Sequence, residues 1–223
     1  MKRSEINAIL TWAEGFIREQ GFALPPFARF SPELWRRLGP EWDEVRDLQL
    51  GWDVTDYGLG RFSEVGLTLF TLRNGSLTEP RYPKAYAEKL LLSRPGQVCP
   101  NHFHFRKRED IICRGGGPLR MQLWPSLPDG GVGRTGTVSV ASDGCLLTLA
   151  AGETLLLQPG QSVTLTPGVY HAFWAEGSPC LVGEVSSVND DHTDNRFAEP
   201  MGRFPAIQED EAPKYLLCTE YGG

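Results

Sequence analysis

Apolar residues at helical spacing occur at the start of the chain. The spacing predicts a helix over residues 4–20, with Ser4 as its N-cap and Gly21 ending it. Two shorter helices are predicted over 31–38 and 41–48. The apolar face of the first helix consists of Ile6, Ile9, Leu10, Ala13, Phe16 and Ile17.

After about residue 50 the pattern changes to short runs rich in Val, Leu, Thr and aromatic residues, separated by turn residues. Asn74-Gly75 and Asp143-Gly144 are dipeptides typical of tight hairpin turns. Because no helical pattern interrupts 52–186, the sequence predicts a sandwich or barrel of antiparallel strands. The predicted strands are 52–57, 65–72, 86–93, 98–105, 110–114, 121–124, 137–140, 146–149, 154–157, 162–166, 169–174 and 181–186.

These patterns predict a single domain over 1–223. A helical extension over 1–50 precedes a β-barrel over 51–187, and a tail over 188–223 packs on the barrel.

The composition of 40% hydrophobic and 22% charged residues is typical of a globular protein. The net charge of −6 argues against nucleic acid as the main partner, since phosphate binding requires a basic face. The five cysteines form no CxxC pair, which indicates a reduced, cytoplasmic chain. No run approaches the roughly 18 apolar residues of a membrane span, so no membrane partner is expected.

Two of the four histidines, His102 and His104, are separated by one residue. In an extended strand such side chains point to the same face. Glu109 follows past a turn and can close on the same point, and two nitrogens with one carboxylate oxygen indicate a metal site. His171 follows a Pro-Gly turn signal and is a further candidate ligand, whereas His192 is expected at the surface.

The spacing around the histidine pair resembles the first motif of the cupin superfamily. The pattern is Gly96, five residues, His102-x-His104, four residues, Glu109, six residues and Gly116.

A second, altered cupin motif runs from Gly160 to His171, with no residue between Pro167 and Gly168. The resemblance implies a mainly all-β fold, a double-stranded β-helix barrel or jelly roll with a short helical N-terminal segment. It also implies that one divalent metal is bound by His102, His104, Glu109 and His171.

Longer runs of the chain resemble the D-lyxose isomerase family. They are residues 1–7, 21–28, 99–112, 114–117 and 184–197. The resemblance implies interconversion of D-lyxose and D-xylulose, with D-mannose and D-fructose as poorer substrates. It further implies a small sugar as the partner molecule, a homodimer, and Mn²⁺ as the preferred metal, with Co²⁺, Fe²⁺, Ni²⁺ or Zn²⁺ able to replace it.

The chemistry of the residues agrees with this resemblance. Aldose–ketose isomerisation moves a proton between C1 and C2, and a metal that binds both sugar oxygens stabilises the enediolate. A mixed nitrogen and oxygen donor set suits Mn²⁺ or Fe²⁺, whereas tetrahedral Zn²⁺ leaves less room for substrate.

Glu184 is the candidate base, because it interrupts an apolar strand on the same face as Val182. If that face lines the barrel, the carboxylate reaches the cavity; in the opposite register it faces solvent. The spacing leaves both open, and the family resemblance favours the first. Lys107 is the candidate donor to a sugar oxygen, with a solvated turn lysine as the alternative.

Four further residues are candidates for binding the sugar hydroxyls. Lys89 lies in an otherwise apolar strand, and Asp190, Asp191 and Arg196 form a polar cluster after the last predicted strand. The alternative for this cluster is a charged surface loop with an internal Asp–Arg pair.

Two other functions remain open at the level of sequence. An iron dioxygenase could use the same ligands but would need an apolar pocket without a base. A non-catalytic sugar-binding cupin could lack an open metal position. Four polar candidates, Lys89, Lys107, Glu184 and Arg196, favour the isomerase.

Overall fold

A computed structural model describes residues 1–222 of the chain. Its helices are confined to the N-terminal part: α1 (Arg3–Glu19), α2 (Pro32–Trp35) and α3 (Asp43–Asp47). Short 3-10 helices cover Pro26–Arg29 and Pro40–Trp42. The first predicted helix is confirmed to within one residue at each end, whereas the second is only one turn long.

The rest of the chain forms two antiparallel sheets. The larger has the order β1-β2-β3-β12-β5-β10-β7-β8, and the smaller has the order β13-β4-β11-β6-β9. The strands are β1 (Gly51–Thr55), β2 (Leu67–Arg73), β3 (Tyr86–Ser93), β4 (Cys99–His104), β5 (Glu109–Gly116), β6 (Leu119–Pro125), β7 (Thr137–Ser142), β8 (Cys145–Ala150), β9 (Thr154–Leu157), β10 (Ser162–Leu165), β11 (Val169–Ala175), β12 (Cys180–Ser187) and β13 (Asn195–Phe197). The prediction of a mainly all-β, antiparallel fold is confirmed.

Both faces of the larger sheet are covered at β1, β2 and β3, which explains why these strands are buried nearly throughout. In β3, Leu91 points into the barrel core, whereas Leu90 and Leu92 pack with the apolar face of α1. This alternation follows from the two-residue period of a strand. Lys89 therefore shares the interior face with Leu91.

The C-terminal tail caps the start of α1. The backbone N–H of Ser4 and its hydroxyl both donate to the carboxylate of Asp210, at 2.9 and 2.6 Å. The prediction of Ser4 as N-cap is therefore wrong, because the helix begins at Arg3 and a distant carboxylate accepts from its free N–H groups.

The two predicted hairpin turns have different outcomes. Asp143 and Gly144 both have positive φ, at 49° and 82°, and they join β7 to β8 as predicted. Asn74-Gly75 is not a tight turn, because the chain loops from Arg73 to Tyr86 before it pairs again. The Asn74 side chain instead donates to the Asn189 carbonyl at 2.9 Å and accepts from the Asn189 N–H at 3.0 Å.

Each of the twelve predicted strands has a counterpart in the structure. The strand β13 was missed, because its three residues are polar and lie in what was predicted as tail. It pairs with β4, opposite the two histidines of the His-x-His pair.

Candidate active site

Three histidines meet in the barrel interior. His102 and His104 are on β4, and the antiparallel register places His171 of β11 directly opposite His102. One ring nitrogen of each histidine lies within 4.8 Å of one ring nitrogen of the other two. The predicted convergence of these three side chains is therefore what the structure shows.

Glu109, the first residue of β5, completes this cluster. Its Oε1 lies 3.3 Å from Nε2 of His104 and 3.3 Å from Nε2 of His171. Within residues 1–222 this buried oxygen has no hydrogen-bond partner. An unpartnered buried carboxylate oxygen among imidazole nitrogens fits a position that a metal ion completes.

The positions of the ring protons on His102 and His171 also fit a metal site. Nδ1 of His102 lies 2.7 Å from the Pro100 carbonyl, and Nδ1 of His171 lies 3.1 Å from the Val169 carbonyl. Because a carbonyl only accepts, both protons sit on Nδ1 and leave the Nε2 lone pairs free. Burial lowers the pKa of His171 to about 4 and holds the pKa of His102 well below its usual range, so both rings are neutral at neutral pH.

A lysine links this cluster to a second carboxylate. Nζ of Lys107 lies 2.9 Å from Oε2 of Glu109 and 2.8 Å from Oε1 of Glu184, and all three side chains are buried. Burial lowers the pKa of Lys107, but the two carboxylates outweigh it and raise the pKa above its usual value. Burial also raises the pKa of Glu109, yet Lys107 and the imidazoles hold it well below the usual range. Lys107 is therefore a buried cation rather than a solvated turn lysine.

The register of β12 settles the direction of Glu184. It lies opposite Lys89 of β3 and Ile111 of β5, and it is 5% exposed. Val182, two residues earlier, belongs to the interior core as well. Of the two registers left open by the sequence, the inward one is present.

Lys89 and Asp191 extend the charged lining. Nζ of Lys89 lies 3.5 Å from Oδ2 of Asp191 and 3.9 Å from Oε1 of Glu184. Beyond Asp191 stands Arg203, whose Nη2 is 3.2 Å from Oδ2 of Asp191 and 2.7 Å from Oδ2 of Asp53. Charges of opposite sign thus alternate from Glu109 to Asp53.

Asp190 and Arg196 do not line the small cavity that contains Glu184, whereas Asp191 does. Asp190 and Asp191 together line a larger cavity next to it. Asp190 accepts from the backbone N–H groups of His192 and Thr193 and so closes a surface turn. Arg196 is exposed and donates to the Asp129 carbonyl at 3.1 Å.

The reason for the position of Arg196 is the register of β13. Arg196 lies opposite Phe103, on the outer face, whereas its neighbours Asn195 and Phe197 lie opposite His104 and His102. The alternation of a short strand would have revealed this, but its sequence gives no strand signal. The internal Asp–Arg pair of the alternative interpretation is absent among the described residues, because Asp190 pairs with Arg106 and Asp191 with Arg203.

The cavity around these groups has a volume of about 40 Å³. Among its polar and aromatic lining residues, sequence reasoning missed Tyr57 in a turn, Asn195 and Phe197 on β13, and Arg203 in the tail. A larger cavity of about 440 Å³ adjoins it and shares Leu69 and Asp191 with it. None of the helices in residues 1–222 is long and apolar enough to cross a membrane.

A two-sheet antiparallel barrel with buried histidines in its interior defines a protein of the cupin-like fold. A crystal structure of Geodermatophilus obscurus L-ribose isomerase has this fold, with a TM-score of 0.56 at 17% identity, covering 93% of this chain and 98% of that one. The chain itself belongs to the D-lyxose isomerase family, whose model matches residues 1–221.

Curated relatives agree with this family. The chain is 52% identical to a D-lyxose/D-mannose isomerase of Serratia proteamaculans, over 99% of this chain and 98% of the relative. It is 51% identical to a D-lyxose/D-mannose isomerase of Escherichia coli O157:H7, with the same coverage. The chain is therefore an enzyme, a sugar isomerase that interconverts an aldose and a ketose, which sets aside the dioxygenase and the non-catalytic cupin.

Proposed function

We propose that this chain interconverts D-lyxose and D-xylulose, and also D-mannose and D-fructose, by proton transfer between C1 and C2. The observation that carries the proposal is the buried Lys107–Glu184 pair, 2.8 Å apart, in the same small cavity as the histidine cluster. A carboxylate in a buried cavity can accept a C–H proton, and the adjacent cation can donate a hydrogen bond to the oxygen on which negative charge develops. The sugars are those for which the 52% and 51% identical relatives are named.

The metal site of this proposal consists of His102, His104, His171 and Glu109. The donor set of imidazoles and one carboxylate fits a divalent metal, and the mixture of nitrogen and oxygen suits Mn²⁺ or Fe²⁺. The resemblance to the family is what supports Mn²⁺ as the preferred one. When bound, the metal would act as a Lewis acid that stabilises negative charge on the sugar oxygens.

Glu184 is the proposed base. It takes the proton from C2 of the aldose, exchanges it with solvent and delivers a proton to C1, while the proton of the C2 hydroxyl passes to O1. Together these transfers give the ketose. Lys107 remains protonated, since two carboxylates raise its pKa, and therefore donates a hydrogen bond instead of accepting a proton. Its proposed role is to donate to the sugar oxygen on which negative charge develops.

Lys89 and Asp191 are the proposed contacts to the remaining sugar hydroxyls. Both are in the same cavity as Glu184, and together they offer a donor and an acceptor. A cavity of about 40 Å³ holds only about three waters, so sugar binding requires part of its lining to move. The adjoining cavity of about 440 Å³, which shares Asp191, is the proposed route of access.

Two further expectations belong to this proposal. The homodimer rests on the family membership, and light scattering at twice the chain mass of 24.8 kDa would support it. The cytoplasmic location rests on the cysteines, all five of which carry free thiols.

The direct test is ketose formation from D-lyxose after chelation of the purified protein, with and without added Mn²⁺. We expect ketose only with metal. A matched pair of variants assigns the requirement to the site: His171→Gln should lose Mn²⁺ binding and turnover, whereas His192→Gln, at an exposed histidine, should keep both. Equal ketose formation without metal would contradict the proposal.

A further inference from the structure

Arg203 occupies one end of the charged lining and has no role in the mechanism above. It lies in the tail after β13, and 13% of its side chain is exposed. Through Nη2 it contacts Asp53 of β1 and Asp191, two carboxylates that fix its guanidinium group. Arg203 is one of the residues that line the same cavity as Glu184.

The second terminal nitrogen of the Arg203 guanidinium group is Nη1. Among the described residues, Nη1 is buried and has no hydrogen-bond partner. Buried donors in proteins are nearly always paired, because an unpaired one retains the cost of losing water. A buried donor on a cavity wall indicates an acceptor supplied by a ligand.

Arg3 provides a comparison within the same chain. It is also a buried arginine that joins the tail to the body of the protein, and it also has two carboxylate partners, Glu209 and Glu220. All three of its guanidinium nitrogens donate to those carboxylates. A purely structural arginine in this tail is thus fully paired, whereas Arg203 keeps one donor free.

The order of the charged groups along the cavity lining indicates where Arg203 lies relative to a bound sugar. The reacting carbons must lie beside Glu184 and the metal ligands. From Glu184 the lining continues through Lys89 and Asp191 to Arg203, each in contact with the next. The non-reacting end of the sugar therefore extends toward Arg203.

We propose that Arg203 binds the terminal hydroxyl of the sugar, which accepts a hydrogen bond from Nη1. Arg203 is then a specificity-determining residue. Asp53 is a positioning residue that holds its guanidinium group, and Asp191, itself a proposed sugar contact, also contacts that group. This inference rests on the proposed function.

The experiment compares D-lyxose with 5-deoxy-D-lyxose, which lacks the terminal hydroxyl, using the Mn²⁺-loaded wild-type protein. Hydrogen bonds to charged groups imply a kcat/KM about 10- to 100-fold lower for the deoxy sugar. This comparison needs no variant. Equal kcat/KM for the two sugars would overturn the inference alone, whereas no ketose from D-lyxose would overturn the proposed function and this inference with it.

The substitution Arg203→Lys tests whether the guanidinium group recognises the terminal hydroxyl. A lysine keeps the positive charge between Asp53 and Asp191 but lacks the planar fork that presents a second nitrogen. We expect kcat/KM for D-lyxose to fall by about 10- to 100-fold, with 5-deoxy-D-lyxose unchanged within about twofold. Arg3→Lys is the matched control, and it should affect the two sugars equally.

A binding measurement separates recognition from turnover. In a Glu184→Gln background, calorimetry with Mn²⁺-loaded protein should show that Arg203→Lys weakens D-lyxose binding and leaves 5-deoxy-D-lyxose binding unchanged. An equal loss for both sugars in kcat/KM and in the dissociation constant would mean that Arg203 only holds the tail, and would overturn the inference.

Discussion

Glu184→Gln is the substitution that most sharply separates catalysis from folding. The side chain is 5% exposed and its Oε1 is 2.8 Å from Nζ of Lys107. Glutamine has the same shape and keeps an oxygen that accepts from Lys107, but it cannot take a proton from carbon. Because Glu184 is not among the four proposed metal ligands, the variant should bind as much Mn²⁺ as the wild type.

The expected loss of turnover is large. A positioned general base contributes about 10²- to 10⁴-fold, which corresponds to about 3–5 kcal/mol of activation free energy. The expected loss of stability is small. An ion pair becomes a hydrogen bond from charged Lys107 to a neutral amide oxygen, which lowers the free energy of unfolding by about 1–2 kcal/mol and the melting temperature by about 2–8 °C.

The assay measures kcat with D-lyxose, Mn²⁺ content by elemental analysis, and the melting temperature by circular dichroism. Glu88→Gln is the control, because Glu88 is on the neighbouring strand, where it pairs with Arg73 at 3.1 Å on the outer side. It should retain kcat. If kcat of Glu184→Gln lies within about threefold of the wild-type value, the loss is far smaller than the one expected for a missing base. That result would refute the role of Glu184 as base. Loss of Mn²⁺ from the variant would refute its position outside the metal site.

Three further predictions follow from the structure. Lys107→Met leaves two buried carboxylates without their cation, so chemical denaturation should show a loss of about 3–5 kcal/mol, together with loss of turnover. Gly116→Ala should destabilise more than Gly144→Ala in the same assay. Both glycines have positive φ, but an added Cβ would lie 2.3 Å from a backbone carbonyl oxygen at Gly116 and meets nothing within 4 Å at Gly144. The pKa of Asp191 is raised by burial and lowered more strongly by nearby cations, Arg203 first, so it lies well below 3.8. Its ion pairs stabilise the fold fully above the unfolded pKa of about 3.9 and are lost as pH falls through the folded value. In urea titrations, the stability deficit of Asp191→Asn should therefore shrink below about pH 4, and a deficit independent of pH would contradict this.

Most of the histidine and carboxylate cluster could be predicted because it follows from local rules. His102 and His104 share a face by the two-residue period of a strand, and Glu109 begins the next strand. His171 follows a turn, and the register of β11 against β4 brings it back opposite His102. His102, His104 and Glu109 require only strand geometry, whereas His171 was predicted from its turn signal and from the resemblance to the second cupin motif.

The far end of the cavity could not be predicted in this way. The sequence allowed two registers for the strand that carries Glu184. The pairing with Lys89, which selects one of them, is a long-range contact. Arg203 reaches the cavity only because the tail crosses β1. There the Thr55 hydroxyl donates to the backbone carbonyl of Arg203 at 2.6 Å. Arg196 carried a stronger sequence signal within the polar cluster, yet the register of β13 turns it outward.

The measurement that tests the account most directly is isotope incorporation during turnover in D₂O. The Mn²⁺-loaded protein is incubated with D-lyxose, and C1 of the resulting D-xylulose is analysed by mass spectrometry and NMR. Proton transfer through Glu184 predicts deuterium at C1. Rapid Mn²⁺-dependent formation of D-xylulose that carries only protium at C1 would contradict it.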